Sequence, residues 1–246
     1  MNRTREPAVA GSFYSAVPTD LHDDVAKLLA TAPGGPAPKA VISPHAGYVY
    51  SGPIAAAALR RLKASRVILL GPSHFVGFSG VALPGADAFE TPLGRVPLEN
   101  PPGIPENPRA HAEEHSLEVE VPLLQAVLGS FTLVPLVVGH ADPDEVAGVI
   151  ERLWGGPETA IVVSSDLSHY LPYDDARRAD AATAKEILAL RSVRGDDACG
   201  AAPVNGLLAA ARRRKMRAEL FDLRNSGDTA GGKKRVVGYG AFGFFE

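Results

Sequence analysis

The chain has 246 residues, 46% hydrophobic and 22% charged, a balance that excludes disorder, collagen and coiled coil and suits a folded core. A formal net charge of −3 supplies no basic field for a nucleic-acid backbone or an anionic membrane, and no apolar run approaches the roughly 18 residues of a bilayer span. The opening residues lack the apolar core of a signal peptide, and the single Cys199 has no partner for an internal disulfide. The chain therefore reads as cytoplasmic, with neither nucleic acid nor membrane as a partner.

In chain order, residues 21–29 carry helical spacing with Thr19 or Asp20 as the N-cap, and a short strand follows at 39–43. A helix over 54–62, started by Pro53, leads into the β-branched strand 66–70, which makes a strand-helix-strand unit. Residues 81–98 alternate short extended pieces with Pro-Gly turns and predict an antiparallel excursion. Helix 117–128, strand 132–138, helix 143–153 and strand 160–163 repeat the alternation. Helices 174–190 and 203–214 and strands 218–223 and 236–244 complete it. Strands apolar throughout, such as Val67-Ile68-Leu69-Leu70 and Ile161-Val162-Val163, suit a sheet covered on both faces. The expectation is one three-layer α/β/α domain over 1–246 with a mostly parallel central sheet. The proline- and glycine-rich runs 33–38 and 101–105 are surface loops within it.

Open α/β sheets bind ligands beyond the carboxyl ends of their strands. Three predicted strands end in histidine-bearing loops: Ser43-Pro44-His45-Ala46-Gly47-Tyr48, Gly71-Pro72-Ser73-His74-Phe75 and Ser164-Ser165-Asp166-Leu167-Ser168-His169-Tyr170. Neutral imidazoles and a thiolate suit zinc, iron or copper, and His45, His74 and Cys199 can supply such a set. Cys199 precedes a predicted helix whose dipole would lower its pKa; the alternative is a small buried hydrophobe. Tyr48, Tyr50 and Phe75 form either an aromatic wall for a planar ligand or part of the core.

The segments Arg5-Glu6-Pro7-Ala8-Val9-Ala10-Gly11-Ser12-Phe13-Tyr14, Pro44-His45-Ala46-Gly47-Tyr48 with Tyr50-Ser51-Gly52, Gly71-Pro72-Ser73-His74, Glu114-His115-Ser116-Leu117-Glu118, Ser164 to Tyr170 and Cys199-Gly200 together resemble the Memo family. Its prokaryotic members are often called AmmeMemoRadiSam system protein B. The resemblance implies a fold similar to the catalytic subunits of class III extradiol dioxygenases, whose non-haem iron is held by two histidines and a glutamate. It carries His45, His74 and Cys199 onto metal-binding positions, His169 and Asp166 onto neighbouring acid/base positions, and His115 onto a further polar position of the pocket. A cysteine stands where the dioxygenases place a carboxylate, so ring cleavage does not follow directly.

Chemically, His169 is the leading general base, because imidazole titrates near neutrality; Asp166 would orient it if the intervening loop turned helically. The alternative is an Asp that caps the turn while His169 packs under Tyr170. His111-Ala112-Glu113-Glu114-His115 fits the zinc-peptidase pattern H-x-x-E-H, but a proline-rich loop precedes it and argues against two histidines on one helical face. Residues 227–234 nearly match a phosphate-binding loop, yet a strand follows where a helix is needed; a mobile glycine-rich loop is preferred, and the resemblance implies that Asn225, Ser226 and Asp228 approach the cleft. The functional expectation is an iron-, copper- or zinc-dependent oxidoreductase, dioxygenase-like, or a carbon-bond-cleaving enzyme acting on a small organic substrate. Its rival is a non-catalytic peptide-binding or accessory protein acting with radical S-adenosylmethionine and AMMECR-type partners. An animal family member is described as an adaptor for a phosphotyrosine peptide, and no arginine pocket for phosphate is evident here.

Overall fold

The computed structural model describes residues 3–246. Its elements are β1 (Thr4–Arg5), α1 (Pro18–Thr31), β2 (Ala40–Ser43), α2 (Tyr48–Leu59), β3 (Arg66–Pro72), β4 (Val81–Ala82), β5 (Ala88–Thr91), β6 (Gly94–Pro97), α3 (Pro108–Ala112), α4 (His115–Glu118), α5 (Glu120–Leu128), β7 (Thr132–Val138), α6 (Pro143–Leu153), β8 (Thr159–Ser164), β9 (His169–Leu171), α7 (Tyr173–Leu188), α8 (Ala201–Arg213), β10 (Arg217–Asn225) and β11 (Val236–Phe245). Among the described residues no helix is long and apolar enough to cross a membrane.

The main sheet runs β10-β11-β2-β8-β3-β7-β4, with β9 pairing β11 outside that path. Its centre, β2-β8-β3-β7, is parallel. β11 joins β2, and β4 joins β7, in antiparallel pairs. The period-2 geometry of a strand divides the apolar runs between two layers. Ile68 and Leu70 pack with Ile161, Val163 and residues of α6 and α8, such as Val146, Ile150, Val204 and Leu207. Val67 and Leu69 face the other way, onto Leu21 and Val25 of α1, Ile54 and Leu59 of α2, and Leu123 and Leu124 of α5. This is the expected α/β/α layering. The excursion over 81–98 splits: β4 joins the main sheet, whereas β5 and β6 form a hairpin that pairs with β1 in a separate three-stranded sheet.

Two helix starts differ from expectation by three residues or more. α1 begins at Pro18, whose fixed φ suits the first helical position, and its N-cap Val17 makes no side-chain cap; Thr19 and Asp20 lie within the first turn. α2 begins at Tyr48, so Pro53 sits inside it. Contacts anchor that early turn despite the proline: Tyr48 Oη donates to Val119 O (2.8 Å), and Ser51 Oγ donates to Ala46 O (2.8 Å).

α7 pins the loop after β8. The Asp180 carboxylate, 2% exposed, accepts from Ser168 N (3.0 Å) and lies against Gly238, where any side chain would collide with it. Burial pushes its carboxyl up to about 6 against the Ser168 N–H bond, which lowers it. The folded state thus keeps a proton that the unfolded chain releases near pH 4. The stabilisation is complete below that pH and is lost as pH rises through about 6. Asp180→Asn is therefore expected to flatten stability between pH 4 and 6, by on the order of 2–3 kcal/mol relative to the parent. Urea unfolding across that range checks this; parallel curves for the two proteins would refute it.

Candidate metal centre

β2, β8 and β3 are neighbours, and their register aligns Ser43 with Ser164 and Leu70 with Val163, so their carboxyl ends open at one edge. His45, Asp166 and His74 each fall two residues beyond their strand, which brings them together from distant parts of the chain. Cys199 arrives from the layer below. The α8 N-terminus abuts β8 through Gly200, whose N–H donates to Ser165 Oγ (2.9 Å) and whose missing side chain would lie 2.7 Å from Ser165 Cβ. Cys199 Sγ accepts from Asp166 N at 3.3 Å.

One donor atom from each of His45, His74 and Cys199 lies within 4.8 Å of the others. Both rings are held by Nδ1: His45 Nδ1 meets Ser164 Oγ at 2.7 Å, and His74 Nδ1 meets Glu114 Oε1 at 2.8 Å. Nε2 is thereby left on each ring as the donor atom. His45 Nε2 lies 3.4 Å from Cys199 Sγ. Zinc bonds of about 2.0–2.1 Å to imidazole and 2.3 Å to thiolate, at a tetrahedral angle, separate two such atoms by roughly 3.5 Å. The donor set, its spacing and the partners on Nδ1 all fit a transition ion.

Electrostatics explain why the cluster suits a cation. Burial, then the nearby His74, His115 and His169, push the His45 imidazole well below its usual range and keep it neutral. Burial pushes Asp166 up to about 7, against N–H bonds from His45 (Asp166 Oδ1 at 2.9 Å) and Ala46. The Cys199 thiol goes opposite to the helix-dipole expectation: burial, with the Asp166 charge beside it, pushes it up to about 12. Desolvation disfavours a bare thiolate more than the first turn of α8 favours it. A cation at the cluster would reverse that balance.

Glu114 was not among the expected site residues. Only 2% exposed, it accepts from His74 N (2.6 Å) and Ser116 N (2.9 Å) as well as holding His74 Nδ1. Burial alone would raise its carboxyl, but the His74 and Ser116 bonds win and lower it to about 2. Its place immediately before His115 was the available sequence signal. His111, by contrast, is buried away from the cluster, with Nε2 at 2.9 Å from Ala82 O, so the H-x-x-E-H pattern is divided between core and site.

His115 stacks on His74 (ring centroids 4.6 Å, 14° between planes) and lies 5.4 Å from the His45 ring. With Asp166, His169, Tyr50, Tyr170 and Arg235 it lines a cleft of about 530 Å³. The loop between Asp166 and His169 does not turn helically: His169 opens strand β9, no hydrogen bond joins the two side chains, and Asp166 serves His45 instead. Of the aromatic trio, Tyr48 is core, whereas Tyr50 and Phe75 are exposed, Phe75 at 5.9 Å from the His115 ring. Ser226 reaches the cleft, but Asn225 and Asp228 cap each other's backbone in a short turn, and β11 follows as a strand. One arginine, Arg235, lines the cleft: its guanidinium lies 4.9 Å from the Tyr170 ring and makes no ion pair among the described residues.

Fold and site together define an α/β protein with a two-histidine, one-cysteine donor cluster at the carboxyl edge of its parallel strands. The chain belongs to the Memo family: the family model described as Memo-like protein matches residues 5–242. A MEMO1 family protein of Sulfolobus acidocaldarius is 35% identical, covering 96% of this chain and 97% of the relative. Those of Aquifex aeolicus and Methanococcoides burtonii are also 35% identical, covering 96% of this chain and 97% and 98% of their own lengths.

Proposed function

We propose that this chain is a cytoplasmic, single-domain metal-binding protein in which His45, His74 and Cys199 hold an iron, copper or zinc ion beside a cleft for a small organic substrate. The observation that carries this reading is the pair of Nε2 atoms freed by Nδ1 partners, one of them 3.4 Å from Cys199 Sγ. Such an ion, when bound, polarises a substrate oxygen or supports oxidation. The chain's own groups supply the rest. His169, on the cleft wall, takes a proton from a substrate hydroxyl; His115 hydrogen-bonds the same substrate; and Asp166 fixes the His45 backbone and flanks Cys199. The reaction class is metal-dependent oxidation or carbon-bond cleavage.

Anaerobic purification with elemental analysis, followed by oxygen-uptake screening of catechol-like and other small substrates, tests both parts. Near-stoichiometric metal with substrate-dependent uptake supports the enzyme; a metal-free protein that takes up none on reconstitution overturns it. A second reading, a non-catalytic peptide-binding or accessory role beside radical S-adenosylmethionine and AMMECR-type partners, draws support from Arg235, a cation in the cleft wall without an acidic partner among the described residues. Bound metal without turnover would favour it.

A further inference from the structure

Behind the metal centre lies a carboxylate that no step above uses. Glu120, the first residue of α5, is 0% exposed, and so are the two serines that touch it. Ser43 Oγ donates to Glu120 Oε2 at 2.8 Å, and Ser164 Oγ donates to Oε1 at 3.1 Å. No ion pair involves Glu120 among the described residues, although a buried carboxylate without a cation is costly and calls for a reason. Ser164 supplies one, because its Oγ also lies 2.7 Å from His45 Nδ1.

We propose that Glu120 is a positioning residue of the metal centre: by holding the Ser164 hydroxyl proton, it obliges His45 to carry its own proton on Nδ1 and so leaves Nε2 free to bind the ion. The argument is one of donor counting. A serine hydroxyl has a single proton, and when that proton is aimed at Oε1 the oxygen can only accept from the imidazole. His45 Nδ1 must then be the N–H, and Nε2 the lone pair beside Cys199 Sγ. Burial pushes the Glu120 carboxyl up to about 8. A proton placed on Oε2 and shared with Ser43 still leaves Oε1 an acceptor, so the relay works in either state. Without the carboxylate, the Ser164 proton has no acceptor but Nδ1, which moves the ring proton to Nε2 and blocks ligation.

This inference rests on the metal reading for its purpose, yet its first readout is independent of metal. Ring nitrogen NMR of apo protein carrying 15N-labelled histidine, with His45 identified by its loss in His45→Ala, reports the tautomer; calorimetric titration with zinc(II) reports affinity. The parent is expected to show His45 as Nδ1–H. Glu120→Met is expected to shift it to Nε2–H and weaken zinc binding by about 10–100-fold. Ser164→Ala is expected to abolish the tautomer preference and weaken zinc similarly, and it decides the matter if Glu120→Met does not fold. Ser43→Ala, which touches Glu120 but not His45, is expected to keep the parent tautomer and affinity. If Glu120→Met or Ser164→Ala retains Nδ1–H and parent affinity, or if Ser43→Ala does as much damage as either, the relay is refuted. A parent that binds no zinc yet shows the expected tautomers would sink the metal reading alone.

Discussion

Single replacement of His45 or His74 by Ala, or of Cys199 by Ser, is expected to reduce bound metal from about one ion per chain to a small fraction, with affinity falling by more than the roughly 100-fold typical of lost outer-shell partners. The three donors come from three loops, and one donor atom of each lies within 4.8 Å of the others. The other possible donor group, His74 with Glu114 and His115, itself depends on His74, and its Glu114 is committed to His74 Nδ1 and two backbone N–H groups. Cys199→Ser barely alters volume, which separates loss of a soft ligand from loss of packing. His111→Ala serves as control, because its ring bonds Ala82 O in the core, and it should lose stability while keeping its metal. Elemental analysis after anaerobic purification reads the stoichiometry. Thermal unfolding gives a second measure, since an ion at 1,000 times its Kd adds about 4 kcal/mol to the parent and little to the variants. Unchanged metal content in all three variants would end the assignment.

Arg5→Ala or Glu118→Ala is expected to cost about 3–5 kcal/mol, the usual result of stranding one half of a buried ion pair. Arg5 and Glu118 are 7% and 1% exposed and are paired through Nη1 and Oε2. Arg5 also donates to His111 O (3.1 Å) and Glu114 O (2.7 Å), while Glu118 accepts from Ala8 N (2.8 Å), Val9 N (3.0 Å) and Tyr14 Oη. Either truncation leaves several buried polar groups without partners, so the cost should not be recovered by repacking. At about 2–4 °C per kcal/mol for a chain of this size, Tm should fall by roughly 6–20 °C. The loss should reach the site as well, because Arg5 grips the backbone of the residue that orients His74. Calorimetric melting checks this; a Tm within 2 °C of the parent would show that the pair is not the clasp described.

This clasp also shows why the family likeness begins so near the N-terminus. The Arg5 to Tyr14 segment carries part of the resemblance, and four of its ten residues, Arg5, Ala8, Val9 and Tyr14, bond Glu118 of α4. Phe13 approaches the cluster, 4.8 Å from the His115 ring, and lines the cleft together with Ser12. Glu120 was not singled out, and Glu114 and Ser164, though they lie in quoted segments, were given no role, for a related reason. Their partners are 40, 77 and 119 residues away along the chain, and no local period or motif reveals those pairings.

The sequence by itself determined the layering and the edge at which to look. Apolar strands alternating with helical spacing leave a sheet no stable arrangement but burial on both faces, and a strand's direction decides which end its following loop occupies. Hence His45, His74 and Asp166 were legible as candidates from their positions just after Ser43, Pro72 and Ser164. Strand order and packing decided the rest. Only the adjacency β2-β8-β3 and the docking of Gly200 against Ser165 bring Cys199, 154 residues from His45, within reach of its ring. Burial, which local sequence does not report, then reversed the expected direction of the thiol's pKa, raising to about 12 what a helix dipole alone would have lowered.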